Sequence, residues 1–278
     1  MKKEEIKQLK TIATKIRMGI IEGVFNAKSG HPGGSLSIAD IMTYLYFKQM
    51  NIDPKNPKAE GRDRFVLSKG HAAPVLYSTL ANRGFFDVEL LKTLRHVGSI
   101  LQGHPDMKKI PGVDMSSGSL GQGISAAVGM ALSAKHFGND YKVYTVLGDG
   151  ELQEGQVWEA AMFAGHKNLN NLTVIVDNNN LQIDGTVDAV NSPYPIDDKF
   201  KAFGFEVCVI DGNDFSQIEE AFSKVGAFEK PYAIIAKTTK GKGVSFMENQ
   251  VGWHGSAPNE EQYNTAMAEL KAQLDALN

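Results

Sequence analysis

The sequence predicts an α/β fold, a three-layer sandwich in which a mainly parallel sheet is covered by helices on both faces. From residue 122 to residue 237, short apolar segments alternate with longer segments of helix length. The short segments, such as "YKVYTVLG" and "NLTVIVD", are almost continuously apolar, which is typical of strands buried on both faces. Four of them run into polar or glycine-rich residues, and ligands of open parallel sheets bind at that edge.

The first half of the chain contains helices, loops and one short strand. Apolar residues at helical spacing in "MKKEEIKQLKTIATKIRMGIIEGVF" predict an opening amphipathic helix. Residues 35–50 predict a second helix, capped by Ser35 or Ser37. A strand, "RFVLS", and a helix that stops at Gly84 follow, and "DVELLKTLRHVG" is a further helix candidate. Residues 98–123 predict a long loop, and such loops inside compact domains are commonly functional.

The second half alternates regularly between helix and strand. The predicted segments are the helix "GISAAVGMALSAKHFG", the strand "YKVYTVLGDG", the helix "EGQVWEAAMFAGHKN", the strand "NLTVIVDNNN", the short helix "IDDKFKAFG", the strand "FEVCVIDGND", the helix "FSQIEEAFSKVGAFE", the strand "PYAIIAKTTKGKG" and the final helix "NEEQYNTAMAELKAQLDALN".

Composition excludes several classes of protein. The net charge of −3, from 29 basic and 32 acidic residues, argues against a nucleic-acid or anionic-membrane binder. No apolar run approaches the roughly 18 residues of a membrane span. Cys208 is the single cysteine, so no disulfide can form within the chain, and we expect it to be a buried small hydrophobe. We therefore expect a cytoplasmic protein without nucleic-acid or membrane partners.

Two polar clusters thirty residues apart predict a metal site. Asp149 lies between Gly148 and Gly150, and Asn179 follows the next strand. One helix and one strand separate them, so a right-handed crossover brings both residues to the same sheet edge. Their oxygen atoms, with a backbone carbonyl near Leu181, suit Mg²⁺ or Ca²⁺. A cage with one carboxylate needs phosphate oxygens from a ligand, and the following helix offers N–H groups to an anion.

The same clusters have a purely structural explanation. "GDG" and "DNN" are common turn formers at the ends of strands. From the spacing alone, a turn without any ligand therefore stays open beside the metal site.

The longer string "GDGELQEGQVWEAAMFAGHKNLNNLTVIVDNNNLQIDG" resembles the thiamine diphosphate motif of the transketolase family. Five further strings, in the order of that family, are similar to it: "KSGHPGGSLSIADI", "LSKGHAAPVLYSTL", "GHPD", "PGVDMSSGSLGQGIS" and "KTTKGKG" with "WHG". Together they span residues 29–255. One such string is weak evidence, but six in order are specific.

The resemblance implies a set of site residues. It assigns the metal to Asp149, Asn179 and the carbonyl of Leu181. The other implied positions are His71 and the Gly150 N–H at the diphosphate, with Asn179 beside it, His254 between diphosphate and substrate, His31 and His104 at the donor ketose, Gly118 and Leu120 at the aminopyrimidine, and Glu154 in a carboxylate network at a subunit interface.

The sequence departs from the family pattern at two places. Ser119 stands where many relatives have proline, and "VSFMENQVG" precedes "WHG" where many full-length relatives differ. Each loop histidine also has an alternative role, because it could hydrogen-bond only within its own turn. Lys240 and Lys242 remain open between a solvated strand end and a phosphate contact.

The resemblance implies the transfer of a two-carbon ketol unit from a phosphorylated ketose to an aldose, with thiamine diphosphate and Mg²⁺ or Ca²⁺. It covers only the diphosphate-binding part of the family. We expect one domain over residues 1–278, with a core of about 12–245 and a C-terminal loop and helix at 246–278. We expect the pyrimidine-binding and C-terminal domains to be absent from this chain.

A partner subunit is therefore expected to carry the pyrimidine-binding domain, with two copies of each chain. The start "MKKEEIKQ" and the capped final helix favour a natural subunit of a split enzyme over a fragment of a longer chain. The alternatives are a subunit of another thiamine diphosphate enzyme, of the 2-oxo acid dehydrogenase or deoxyxylulose-phosphate synthase type, and a non-catalytic subunit that keeps the fold.

Overall fold

A computed structural model describes residues 1–277 of the chain. The strands in this range are β1 (Arg64–Leu67), β2 (Val143–Gly148), β3 (Leu172–Asn178), β4 (Leu181–Gln182), β5 (Gly185–Thr186), β6 (Glu206–Asp211) and β7 (Tyr232–Lys237). The α-helices are α1 (Lys3–Ala27), α2 (Pro32–Ser37), α3 (Ala39–Tyr44), α4 (Ala73–Arg83), α5 (Gln122–Phe137), α6 (Gly155–His166), α7 (Val187–Asn191), α8 (Ile196–Ala202), α9 (Phe215–Phe222) and α10 (Glu260–Ala276). No helix in this range has the length and apolar character to cross a membrane.

The main sheet has the order β1-β2-β3-β7-β6, and every neighbouring pair in it is parallel. Side chains of its central strands alternate between two hydrophobic cores. In β2, Tyr144 and Val146 join the core that contains α1, α3, α4, α9 and α10. Val143 and Leu147 point the other way, into the core formed with α5, α6 and α8. Helices therefore cover both faces of the sheet, which confirms the predicted three-layer fold.

The crossover from β2 through α6 to β3 positions the predicted site. Gly148 at the end of β2 is paired in register with Asp177 near the end of β3. Asp149 and Asn179, one residue beyond each strand end, therefore lie at the same edge of the sheet. The thirty-residue spacing predicted this proximity correctly.

The helix predicted over residues 35–50 is wrong in its start and its continuity. The helical chain begins at Pro32, which fits the first turn because its missing N–H has no partner to lose. The Ser35 hydroxyl donates to the carbonyl of His31 at 2.7 Å, and Ser37 donates to Gly34 and to Asp177. Neither serine caps the helix. The helical segment is interrupted at Ile38 and ends in a short π-helix over Leu45–Gln49.

Three smaller expectations also need correction. "DVELLKTLRHVG" forms a 3₁₀-helix only over Val88–Thr93. The strand predicted over "PYAIIAKTTKGKG" is shorter: β7 ends at Lys237, and "TTKGKG" lies outside it. Cys208 is half-buried because β6 is an edge strand, and its sulfur accepts a hydrogen bond from the Tyr232 hydroxyl at 2.9 Å.

Candidate functional site

A cavity of about 310 Å³ lies at the carboxyl edge of the sheet. Of the eleven site residues expected from the sequence, all but His104 line it. These are His31, His71, Gly118, Leu120, Asp149, Gly150, Glu154, Asn179, Leu181 and His254. Six loops that are far apart in the sequence therefore meet at one place.

Asp149 is 2% exposed and its carboxylate is held by three donors. Oδ1 accepts from the Gly150 N–H at 2.8 Å, and Oδ2 accepts from the Asn178 amide at 3.0 Å and from the backbone N–H of Asn180. Burial, followed by the charge of Asp177, raises the pKa of Asp149 to about 6. The group is therefore mainly a carboxylate at pH 7 and costly to bury without a cation.

The other two expected metal ligands lie next along the chain. Asn179 Oδ1 accepts from the backbone N–H of Leu181 at 3.1 Å, and the Asn179 amide donates to Asp177 Oδ2 at 3.1 Å. The Leu181 carbonyl accepts from Lys240 Nζ at 2.8 Å. Hydrogen bonds therefore hold both the oxygen and the nitrogen of the Asn179 side-chain amide, and the oxygen faces the Leu181 backbone.

The loops around the cavity are joined by glycines with close neighbours. A side chain on Gly118, where φ is +152°, would come within 2.9 Å of the His104 ring. A side chain on Gly70 would come within 2.6 Å of the Gly118 backbone. His104 therefore packs against Gly118, and it is exposed and does not line the cavity.

Three histidines meet at the mouth of the cavity. The ring centroids of His31, His71 and His254 are 5.1–5.6 Å apart. Burial, followed by the charge of Arg95, lowers the pKa of His31 to about 4, and burial, followed by Lys240, lowers that of His254 to about 3. Burial also lowers the pKa of His71 well below its ordinary value. At pH 7 all three rings are neutral, so each can both donate and accept a hydrogen bond.

The same physical cause acts on His104. Although the residue is exposed, partial desolvation of its ring, then the charge of Arg95, lowers the pKa of His104. The remaining histidines are exposed and lie outside the cavity lining: His96, His136 and His166.

The structure gives different surroundings to Lys240 and Lys242, whose roles the sequence left open. Lys240 is 1% exposed, lines the cavity and lies 2.9 Å from His254 Nδ1. Burial, followed by the charge of Lys69, lowers the pKa of Lys240 to about 8, so it is charged at pH 7. A charged ammonium can only donate, which makes His254 Nδ1 the acceptor and leaves the ring hydrogen on Nε2. Lys242 lies outside this cavity, with its Nζ 3.6 Å from Glu248.

Sequence reasoning missed two charged residues that shape the site. Lys69 is buried and donates to Asp177 at 2.5 Å and to the Gly34 carbonyl at 2.7 Å. Glu151 is buried and accepts from the Ser68 hydroxyl and from the backbone N–H of Gly121. Burial raises the pKa of Glu151. Lys69 belongs to "SKGH" and Glu151 to "GDGE", and both strings lie within motifs on which the family resemblance rests. Lysine and glutamate usually face solvent, so the sequence does not show that these two are buried.

The residues present fit a divalent cation bound together with a diphosphate. Asp149, Asn179 and Leu181 offer only oxygen atoms, the donors that Mg²⁺ and Ca²⁺ prefer. Within residues 1–277, no cluster of three His, Cys, Asp or Glu side chains could hold a metal alone, so a cation at Asp149 would need further oxygen donors. In the same range, His31 Nδ1 is buried without a hydrogen-bond partner, which is typical of a group that contacts a ligand.

Comparison with known proteins identifies the family. Residues 8–275 match the family described as transketolase, thiamine diphosphate binding domain. The chain is 46% identical over 260 residues to a 6-deoxy-6-sulfo-D-fructose transketolase subunit of Clostridium sp. (strain MSTE9), covering 93% of this chain and 94% of that protein. It is 42% identical to an apulose-4-phosphate transketolase subunit of Phocaeicola vulgatus, covering 98% of this chain and 97% of that protein.

Longer transketolases match over less than half of their length. Mouse transketolase is 40% identical over 280 residues, which cover 98% of this chain and 44% of the mouse protein. The crystal structure of Campylobacter jejuni transketolase superimposes with a TM-score of 0.89 at 36% identity, covering 97% of this chain and 45% of that one. The chain therefore belongs to the transketolase family and corresponds to its thiamine diphosphate-binding domain.

Proposed function

We propose that this chain is the N-terminal subunit of a two-chain transketolase. It holds the metal and the diphosphate of thiamine diphosphate and, with a second subunit, transfers a two-carbon ketol unit from a ketose to an aldose. The observation that carries the proposal is the meeting of Asp149, Asn179 and three neutral histidines around one cavity. When bound, thiamine diphosphate supplies the electron sink for C–C bond cleavage.

The proposed roles follow the chemistry of each group. Asp149, Asn179 and the Leu181 carbonyl hold Mg²⁺, and Gly118 with Leu120 approaches the aminopyrimidine. His71 donates to the diphosphate. The Gly150 N–H is proposed as a second donor to the diphosphate, although in the structure it donates to Asp149.

The remaining histidines are proposed to orient the sugar and move protons. His254 lies between diphosphate and substrate, and His31 with His104 faces the oxygens of the donor ketose. Their lowered pKa values favour neutral rings, which accept a proton from a hydroxyl and return it without holding a permanent charge.

The names of the relatives bear on the substrate. The two subunit-sized relatives are named for 6-deoxy-6-sulfo-D-fructose and apulose 4-phosphate, and the longer ones simply as transketolase. We propose a ketose bearing an anionic group as the donor. A panel with xylulose 5-phosphate, 6-deoxy-6-sulfo-D-fructose and apulose 4-phosphate distinguishes the candidates.

A partner subunit is part of the proposal. The two subunit-sized relatives match this chain along nearly their whole length, so the remaining family domains are proposed to come from another polypeptide. Met162 and Phe163 on α6 are 58% and 40% exposed, and α6 begins directly after Glu154, which is also exposed. This apolar helix face supports pairing of two copies of the chain near Glu154, within an assembly of two chains of each kind.

Substitution of Asp149 tests the proposal. In the complex with the partner subunit, Asp149→Ala is expected to weaken thiamine diphosphate binding in the presence of Mg²⁺ by at least about 100-fold, since even outer-shell changes at metal sites cost 10–100-fold. Calorimetric titration with and without Mg²⁺ measures this loss. Asp140→Ala is the matched control, because Asp140 is an exposed carboxylate at the opposite end of β2. Equal cofactor affinity in wild type and Asp149→Ala would contradict the metal assignment.

A further inference from the structure

Glu151 is a carboxylate in the wall of the cavity, at the point where three segments of the chain meet, and it is 2% exposed. Its Oε1 accepts from the Ser68 hydroxyl at 2.5 Å and from the Gly121 N–H at 2.9 Å. Its Oε2 accepts from the Gly148 N–H at 3.1 Å. One side chain therefore joins the end of β1, the start of α5 and the end of β2.

Two of these donors lie next to residues that are proposed to hold the cofactor. Gly148 precedes Asp149, the proposed metal ligand. Gly121 follows Leu120, which is proposed to approach the aminopyrimidine. Glu151 therefore connects the backbone at one end of the proposed cofactor site to the backbone at the other.

The third donor, Ser68, packs tightly against the start of α5. Its hydroxyl oxygen accepts from the Ile124 N–H at 3.2 Å, so its own hydrogen can be donated to Glu151. A β-carbon on Gly123 would lie 2.6 Å from the Ser68 α-carbon and 2.7 Å from its hydroxyl oxygen. Ser68 and α5 are thus already in close contact, and Glu151 extends this contact to the 148–150 turn.

Hydrogen bonds hold this carboxylate directly. In the described part of the chain it forms no ion pair, and the buried ammonium of Lys69 is paired with Asp177 instead. A backbone N–H can only donate, so both oxygens of Glu151 have to accept, one from Gly121 and one from Gly148. A buried donor that loses its acceptor is costly, which makes the pair of oxygens a requirement of the site.

We propose that Glu151 is a positioning residue that fixes the 118–121 loop, assigned to the aminopyrimidine, against the 148–150 turn, assigned to the metal and diphosphate. This inference rests on the proposed function, which supplies both assignments. Glu151 acts through the backbones of Gly121 and Gly148 and so sets the spacing between two parts of one cofactor site. A ligand that engages both parts depends on that spacing, whereas a ligand that engages only the metal end does not.

Replacement of Glu151 by glutamine keeps the shape of the side chain but leaves one accepting oxygen. Whichever way the amide is turned, its NH₂ group faces one of the two backbone N–H donors. In the complex with the partner subunit, calorimetric titrations use thiamine diphosphate or inorganic pyrophosphate, each with saturating Mg²⁺. Glu151→Gln is expected to bind thiamine diphosphate at least about tenfold more weakly than wild type, a loss typical of outer-shell changes, and pyrophosphate within about threefold of wild type.

Two further variants complete the experiment. Glu229→Gln changes an exposed carboxylate that precedes β7 at the opposite end of the sheet, and it is expected to bind both ligands as wild type does. If Glu151→Gln does not fold by circular dichroism, Glu151→Asp is measured and judged by the same criterion. Its two oxygens lie on a shorter stem and no longer meet both N–H groups at hydrogen-bond distance.

Two sets of results overturn different claims. Equal losses of affinity for thiamine diphosphate and pyrophosphate, or no loss for either, would overturn the positioning role of Glu151 while leaving the metal site intact. Binding of pyrophosphate with Mg²⁺ that is unchanged by Asp149→Ala would instead overturn the metal assignment in the proposed function.

Discussion

At the scale of single residues, the site consists of ionisable groups whose charged forms are controlled by burial. His31 and His254 are kept neutral at pH 7, while Asp149 and Lys240 remain charged beside them. This arrangement places two opposite charges next to rings that can exchange protons. It suits binding of a metal diphosphate beside a sugar whose hydroxyl protons must move.

The lowered histidine pKa values predict a loss of stability in mild acid. An unfolded histidine takes up a proton near pH 6.5, whereas folded His31 does so only near pH 4. Between these values protons bind preferentially to the unfolded chain, so the free energy of unfolding falls as pH falls from about 6.5 to about 4. Asp149, with its raised pKa, contributes in the opposite direction.

Urea unfolding of wild type and His31→Asn between pH 7 and pH 5 measures this effect. With allowance for solvent screening at a half-buried ring, wild type is expected to lose about 1 kcal/mol more than the variant. His136→Asn, at an exposed histidine, should follow wild type. Equal pH dependence in wild type and His31→Asn would show that His31 protonates as readily in the folded chain as in the unfolded one.

At this scale the sequence nominated ten of the residues that line the cavity, Glu154 among them, and it missed the buried charges of Lys69 and Glu151. Ordered strings such as "SGHPGG" and "GDG" nominated residues that meet in the cavity. Lys69, Lys240 and Glu151 carry charges that usually face solvent, and only the fold shows that they are buried. Whether a charged side chain is buried depends on what packs above it, which local sequence does not encode.

At the scale of elements, the crossover from β2 to β3 depends on a glycine in α6. A β-carbon on Gly165 would lie 1.7 Å from the carbonyl oxygen of Phe203, where α8 ends against α6. Side-chain rotation cannot relieve this contact, because the positions of the β-carbon and of the carbonyl oxygen are both fixed by the backbone. Any larger residue therefore has to push α6 away from α8.

Gly165→Ala is expected to lower the free energy of unfolding by at least about 2 kcal/mol, as overpacking in a tight interior does. Gly129→Ala is the matched control: it also lies within a helix, and among the described residues nothing is within 4 Å of its added carbon. That variant should be unchanged or up to about 1 kcal/mol more stable, since alanine favours helix. Denaturant midpoints of the two variants decide the matter, and equal midpoints would contradict the packing account.

Long elements with a clear period were predictable, and short or interrupted ones were not. The alternating strands and helices after residue 122 follow from apolar periodicity. The two-residue strands β4 and β5 and the 3₁₀-helix Gly150–Gln153 carry no period at all. Ser37, the residue before the break at Ile38, donates to Asp177, which lies 140 residues away in the sequence, and local periodicity carries no sign of such a contact.

At the scale of the whole molecule, the chain matches the thiamine diphosphate-binding domain of its family along nearly its full length, and longer transketolases over 44–45% of theirs. We propose that half of the cofactor site, including the groups at the aminopyrimidine end, comes from a partner subunit. This chain is then a necessary but incomplete part of a ketol transferase.

Measurement of ketol transfer by the chain alone and by its complex with the partner subunit tests this proposal. The assay uses ribose 5-phosphate as acceptor, thiamine diphosphate and Mg²⁺, with xylulose 5-phosphate, 6-deoxy-6-sulfo-D-fructose or apulose 4-phosphate as donor. We expect no measurable transfer by the chain alone and transfer by the complex from at least one donor. Turnover by the chain alone at the rate of the complex, or none by the complex from any donor, would contradict it.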